Sequence, residues 1–123
     1  MEQRTLVAVV DDDESVREAL PELLRQLGFA ARAFVSAEEF LESNSAGETD
    51  CLILDIGMPG MSGPELHREL KRRDYAIPTI FITAQSRQSL PPGLLQQKVV
   101  ECLFKPFSEE ALRAALDLVL PPH

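Results

Sequence analysis

Apolar residues follow two alternating patterns along this chain: short unbroken runs, and stretches in which they recur three and four residues apart. The first run, Leu6 to Val10, is rich in β-branched residues and has no polar interruption, as a strand covered on both faces requires. After Asp11, Asp12 and Asp13 the period becomes helical, with Val16, Leu20, Leu23, Leu24 and Leu27 on one stripe and Gly28 as the stop. Pro21 falls inside that stripe and has no N–H to donate, which predicts a bend or a loosened turn. Residues 29–35 make a weaker second strand. Ser36 and Glu39 then have the spacing of a capping box, opening a short helix through Phe40 and Leu41. The polar stretch 44–50, with Gly47, reads as loop.

The alternation continues to the end. Cys51 to Leu54 is the third strand, with Asp55 at its carboxyl end, and the glycines and prolines of 57–64 make a turn-rich connection. Pro64 suits a helix start, and the helix runs to about Arg73 with Leu66 and Leu70 inward. Residues 78–83 are a fourth strand and 99–104 a fifth, followed by Lys105-Pro106. Ser108 caps a last helix whose inner face is Leu112, Ala115, Leu116 and Val119. Strand and helix alternating five times requires a mainly parallel sheet with helices on both faces. One α/β domain over residues 1–123 accounts for the whole pattern. The fourth helix is the exception. Between Thr83 and Val99 the sequence carries Pro91-Pro92-Gly93, and each proline costs a helix interior about 3 kcal/mol. That helix is expected to be irregular, shortened to begin near Pro91, or mobile.

Composition narrows the function. The chain has 123 residues, 45% of them apolar, enough for one core without staples. Its net charge of −8 repels phosphate backbones and anionic membranes, so direct nucleic-acid binding is excluded and cations or basic partners are favoured. Cys51 and Cys102 are too few for a disulfide framework and read as small buried hydrophobes. The apolar runs are too short to span a bilayer and no signal peptide precedes Thr5, so the expected location is cytoplasmic.

The candidate chemistry lies at the carboxyl ends of the strands, where open α/β sheets bind ligands. Strand one delivers Asp11 and Asp12, strand three Asp55, strand four Thr83 and strand five Lys105. Two carboxylates about 5 Å apart repel by roughly 3 kcal/mol at an effective dielectric near 20, so a bare cluster calls for a hard cation. Few oxygen ligands with room for water suit Mg²⁺ better than a Ca²⁺ cage. Asp13 reads instead as a helix cap. Asp55 is then the candidate nucleophile, since a carboxylate attacks phosphorus to give an acyl phosphate. Lys105 and Mg²⁺ would neutralise the phosphoryl oxygens, and Thr83 would hydrogen-bond one of them. His67 reads as an exposed helix residue rather than a phosphate carrier.

Four segments taken in order, Val9-Val10-Asp11-Asp12-Asp13-Glu14-Ser15-Val16-Arg17, Leu54-Asp55-Ile56-Gly57-Met58-Pro59-Gly60-Met61-Ser62-Gly63, Ile82-Thr83-Ala84 and Lys105-Pro106-Phe107, resemble the receiver domain of bacterial two-component response regulators, nearest the FixJ-type branch. The resemblance spans Leu6 to Leu120. It implies a flavodoxin-like (CheY-like) doubly wound sheet of strand order 2-1-3-4-5. It further implies that Asp55 accepts phosphate from a sensor histidine kinase. Mg²⁺ would be held by Asp12, Asp55 and the Gly57 carbonyl, with Asp11 reaching it through water, and Lys105-Pro106 is typically cis in relatives. Gly57 would leave the phosphoryl group uncovered. Output would pass to an unknown partner or to a C-terminal effector domain, which in this branch usually binds DNA.

The chain departs from that pattern at Cys102, where relatives place an aromatic switch three residues before the lysine. A thiol fills less space, and Phe104 shares its strand parity. This departure and the broken fourth helix leave room for a second reading, an interaction module that works regardless of phosphate. A hydrolase of the haloacid dehalogenase type also uses an aspartyl phosphate, but it needs a second Asp where this chain has Gly57.

Overall fold

The unbroken apolar runs become strands because only a position between two helical layers removes both faces from water. The computed structural model describes residues 4–84 and 100–120. Five parallel strands, β1 (Leu6–Val10), β2 (Ala30–Phe34), β3 (Cys51–Asp55), β4 (Thr79–Thr83) and β5 (Val100–Phe104), lie in the order β2-β1-β3-β4-β5. This is the doubly wound order that the resemblance implied. Every residue of β1, β3 and β4 is buried. β2 stands at the sheet edge with Arg32 and Ala33 exposed, which is why its sequence signal is weak.

Helices cover both faces. Alternate strand residues Val7, Val9, Ile53, Ile80 and Ile82 pack with Leu20 and Leu24 of α1 (Glu14–Gln26) and Leu112, Ala115 and Leu116 of α4 (Glu109–Val119). The opposite parity, Ala8, Val10, Leu52, Leu54 and Phe81, packs with Phe40 of α2 (Ala37–Glu42) and Leu66 and Leu70 of α3 (Gly63–Arg72). Fully burying one such aliphatic side chain contributes about 1.5–3 kcal/mol, so these two layers hold the strand ends in place.

Several local expectations meet a structural answer. α1 runs unbroken through the buried Pro21, and Gly28 follows its end with φ +101°, a conformation that favours glycine. Half of the capping box at Ser36 forms. Its hydroxyl accepts from Glu39 N at 3.0 Å, while Glu39 Oε1 takes the N–H of Val35 instead of that of Ser36. A complete box forms one helix later, where Ser62 Oγ accepts from Glu65 N and Glu65 Oε1 accepts from Ser62 N.

His67 is buried, not exposed. Its ring meets Phe81 edge-on at 5.7 Å, and burial followed by the charge of Lys71 lowers its pKa. Cys51 and Cys102 are buried thiols, as expected, and burial pushes Cys51 up to about 12. The expectation of an irregular fourth helix between Thr83 and Val99 falls outside the described residues. Among those described, no helix is long and apolar enough to cross a membrane.

Candidate functional site

Parallel register brings the strand ends level and so assembles the site. Val10 pairs with Leu54, so the chain leaves β1 at Asp11 beside Asp55, the last residue of β3. Asp55 pairs with Ile82, which puts Thr83 one step further at the end of β4. Thr83 pairs with Phe104, and Lys105 follows with its N–H donated to the Thr83 carbonyl at 2.8 Å. The Lys105–Pro106 bond is cis, as the resemblance implied.

Asp11, Asp12 and Asp55 each contribute a carboxylate oxygen to one cluster, all within 4.8 Å of one another. Asp11 is fully buried, Asp55 nearly so and Asp12 exposed, so the cluster opens to water on one side. Lys105 Nζ lies 3.0 Å from Asp11 Oδ2, an oxygen that makes no hydrogen bond among the described residues beyond this ion pair. Asp11 Oδ1 accepts from Asp13 N at 2.9 Å, and Asp55 Oδ1 accepts from Gly57 N at 3.2 Å. Asp13 stands apart as the cap of α1, accepting from Ser15 N at 2.9 Å. A Cβ added at Gly57 would meet nothing within 4 Å, so the turn after β3 is uncrowded at that residue.

The charges are unbalanced. Burial, then the charge of Asp11, push Asp55 up to about 6, against the Gly57 N–H and the Lys105 ammonium. Burial acts against the charge of Lys105, but the hydrogen bond and charge of Asp11, with Asp55 and Asp13 behind it, outweigh burial and raise its pKa. Three carboxylates facing one ammonium leave a negative deficit, and a hard divalent cation with oxygen ligands fits it. The buried, sparsely served Asp11 Oδ2 and the open side at Asp12 are what such a fit requires.

The raised Asp55 value has a pH consequence in metal-free protein. The folded state binds this proton more tightly than the unfolded one, so the stability it contributes is complete below about pH 4 and is lost as pH rises through about 6. His67, with its lowered pKa, works the other way, costing stability as pH falls below its ordinary value near 6.5. The difference between wild type and Asp55→Asn isolates the aspartate. In EDTA the melting temperature of Asp55→Asn is expected to exceed that of wild type at pH 7.5 and the gap to shrink toward pH 5. A gap constant across that range would contradict the assignment.

Two residues inside the motif segments, Arg17 and Gly63, received no role of their own from the sequence. Arg17 Nη1 donates to the Asp11 carbonyl at 3.0 Å, fixing the peptide that leads into Asp12. Its signal is an arginine on the first turns of a helix that begins at an acidic triplet. Gly63, the first residue of α3, lies so close to the Asp55 carbonyl that an added Cβ would collide with that oxygen. Its signal is a glycine, followed by Pro64, at a helix start where neither a turn nor a positive φ demands one.

Comparison with known proteins gives this sheet edge a class. The family model described as response regulator receiver domain matches residues 7–117, and the chain belongs to that family. It is a receiver domain of two-component signalling, which displaces the dehalogenase-type reading, and the module independent of phosphate is not favoured. Its branch is the FixJ type. The FixJ N-terminal domain structure superposes with a TM-score of 0.79 at 33% identity, covering 96% of this chain and 94% of that one. The structure of response regulator StyR superposes with a TM-score of 0.86 at 43% identity over 95% of this chain and 59% of that one. Response regulator protein TodT of Pseudomonas putida is 37% identical over 121 residues, 95% of this chain and 53% of its own length. The chain spans about half the length of the curated relatives it matches.

Proposed function

We propose that this domain accepts a phosphoryl group on Asp55 from the phosphohistidine of a sensor kinase, with Mg²⁺ held by Asp12, Asp55 and the Gly57 carbonyl and with Asp11 acting through water. The observation that carries this reading is the juxtaposition of three carboxylate oxygens within 4.8 Å and an ammonium 3.0 Å from one of them. Bound Mg²⁺ supplies charge neutralisation to the phosphoryl oxygens. Asp55 provides the attacking oxygen: a bond forms from its carboxylate to phosphorus while the P–N bond of the donor breaks, and the histidine nitrogen leaves with the electron pair. Lys105 neutralises a phosphoryl oxygen, and Thr83 donates its hydroxyl to another. Water reaching over Gly57 reverses the modification by hydrolysis. The catalysis is the domain's own modification and its reversal, not turnover of a separate substrate.

A groove of about 380 Å³ between α1 and the segment after β5, lined by Val16, Leu20, Leu23 and Phe107, opens beside Lys105. Its apolar walls and its place next to the acceptor suit one face of a donor helix, which supports a kinase as the partner. Residues 1–123 form one signalling domain with a cytoplasmic location, and its output passes to a separate partner or a C-terminal effector domain.

The test is chemical. Incubated with acetyl phosphate and Mg²⁺, the protein is expected to gain one phosphoryl mass that maps to Asp55 after borohydride trapping. EDTA abolishes the gain. No adduct, or an adduct on another residue, defeats the proposal.

A further inference from the structure

The loop between β3 and α3 carries Gly57 and is held at both ends by its own elements. Gly57 N donates to Asp55 Oδ1, Met58 is buried in the core, and the Ser62–Glu65 box closes the far end. Its middle is held by a residue from elsewhere. Glu38, in the first turn of α2, accepts from Met61 N through Oε2 at 3.0 Å, a bond joining residues 23 apart in sequence. The loop turns at Gly60 with φ +74°, and a Cβ there would lie 2.8 Å from the same Glu38 oxygen. The glycine thus serves two needs at once, a left-handed turn and close approach by a carboxylate. Among the described residues no hydrogen bond or ion pair joins Glu38 to Asp11, Asp12, Asp55 or Lys105, so the pairing of charged groups at the site does not account for it.

We propose that Glu38 is a positioning residue for the phosphoacceptor site, acting through the backbone of the β3–α3 loop to hold Gly57 where its carbonyl serves the cation. This rests on the reading of Asp55, Asp12 and Gly57 as the Mg²⁺ site. The bond is a charge-assisted acceptor at the surface, so its removal loosens the loop without unfolding the domain. A hydrogen-bonding role is distinguishable from a field effect of the carboxylate. Glutamine keeps the acceptor and loses the charge, whereas alanine loses both.

The experiment compares wild type, Glu38→Ala and Glu38→Gln by three readings. These are amide exchange at Gly57 and Met61 by NMR, Mg²⁺ affinity by titration of the Gly57 amide shift, and the rate of acetyl phosphate labelling at subsaturating and saturating Mg²⁺. Glu38→Ala is expected to speed exchange at both amides and weaken Mg²⁺ about threefold to tenfold, with melting temperature nearly unchanged. Its labelling should be slow at low Mg²⁺ and recover at saturation, and Glu38→Gln should restore most of each reading. Unaltered exchange and affinity in Glu38→Ala overturn the proposal. So does a Glu38→Gln variant that behaves like alanine, which would make the effect one of charge. If wild type takes no label on Asp55, the underlying phosphoacceptor reading fails, and exchange and Mg²⁺ titration still decide the role of Glu38.

Discussion

Lys105→Met is expected to slow labelling of Asp55 by acetyl phosphate a hundredfold or more while tightening Mg²⁺ binding. The two effects diverge because the ammonium plays opposite roles in the two states. With no phosphoryl group present, Lys105 is the counter-charge of Asp11, 3.0 Å from Oδ2, and competes with any divalent cation for the same carboxylates. Its removal deepens the negative deficit and favours the cation. In the proposed transfer step the ammonium would sit on the phosphoryl oxygens, and deleting one preorganised charge of that kind costs about a hundred- to a thousandfold in rate.

The stability consequence of the same substitution has a definite sign. Asp11 is fully buried and Lys105 is its ion-pair partner, so metal-free Lys105→Met leaves a carboxylate without compensation. Breaking a buried pair costs about 3–5 kcal/mol; water at the open side of this cluster reduces that to about 2 kcal/mol. Urea unfolding in EDTA and again in millimolar Mg²⁺ measures it, and the loss should shrink when the cation is present. Labelling at the wild-type rate would remove Lys105 from the mechanism.

The features legible in the sequence share a cause. β1, β3 and β4 are buried on both faces, so their composition has no freedom and reads directly as strand; the site residues follow because parallel register aligns strand ends. Asp11, Asp12, Asp55 and Lys105 therefore come together as their positions promised. What the sequence hid depends on packing between elements distant in the chain. His67 looked like a surface residue because its neighbours Arg68 and Glu69 are polar, yet it sits on the stripe with Leu66 and Leu70 and reaches Phe81. Periodicity does not rank a lone polar side chain within an apolar stripe. Glu39 matched the capping-box spacing, but the N–H it serves belongs to Val35, a choice set by chain entry geometry. Arg17, Glu38 and Gly63 act on backbone atoms, and backbone partners leave no complementary residue type to find by pattern.

Gly63→Ala is the smallest change expected to damage both stability and function. An added methyl at this position collides with the carbonyl oxygen of Asp55, lies 3.1 Å from its carbonyl carbon and 3.4 Å from Ile56 Cα. All three are backbone atoms of the strand end and the turn after it, held by Ile56 N donating to Ile82 O at 3.0 Å, so none of them swings aside as a flexible side chain would. The helix propensity gained by replacing glycine, about 1 kcal/mol, is small beside overpacking of this kind, which costs about 1–3 kcal/mol and here adds displacement of α3. The expected result is a lower urea midpoint at unchanged m-value, and labelling of Asp55 slowed about tenfold because the acceptor moves with its carbonyl. Gly47→Ala is the control, since a Cβ there meets nothing within 4 Å and its change in stability should stay within about 0.5 kcal/mol. Equal behaviour of the two variants would show that α3 does not rest on the end of β3. A Gly63→Ala protein that loses stability yet labels at the wild-type rate would separate the helix contact from the placement of Asp55.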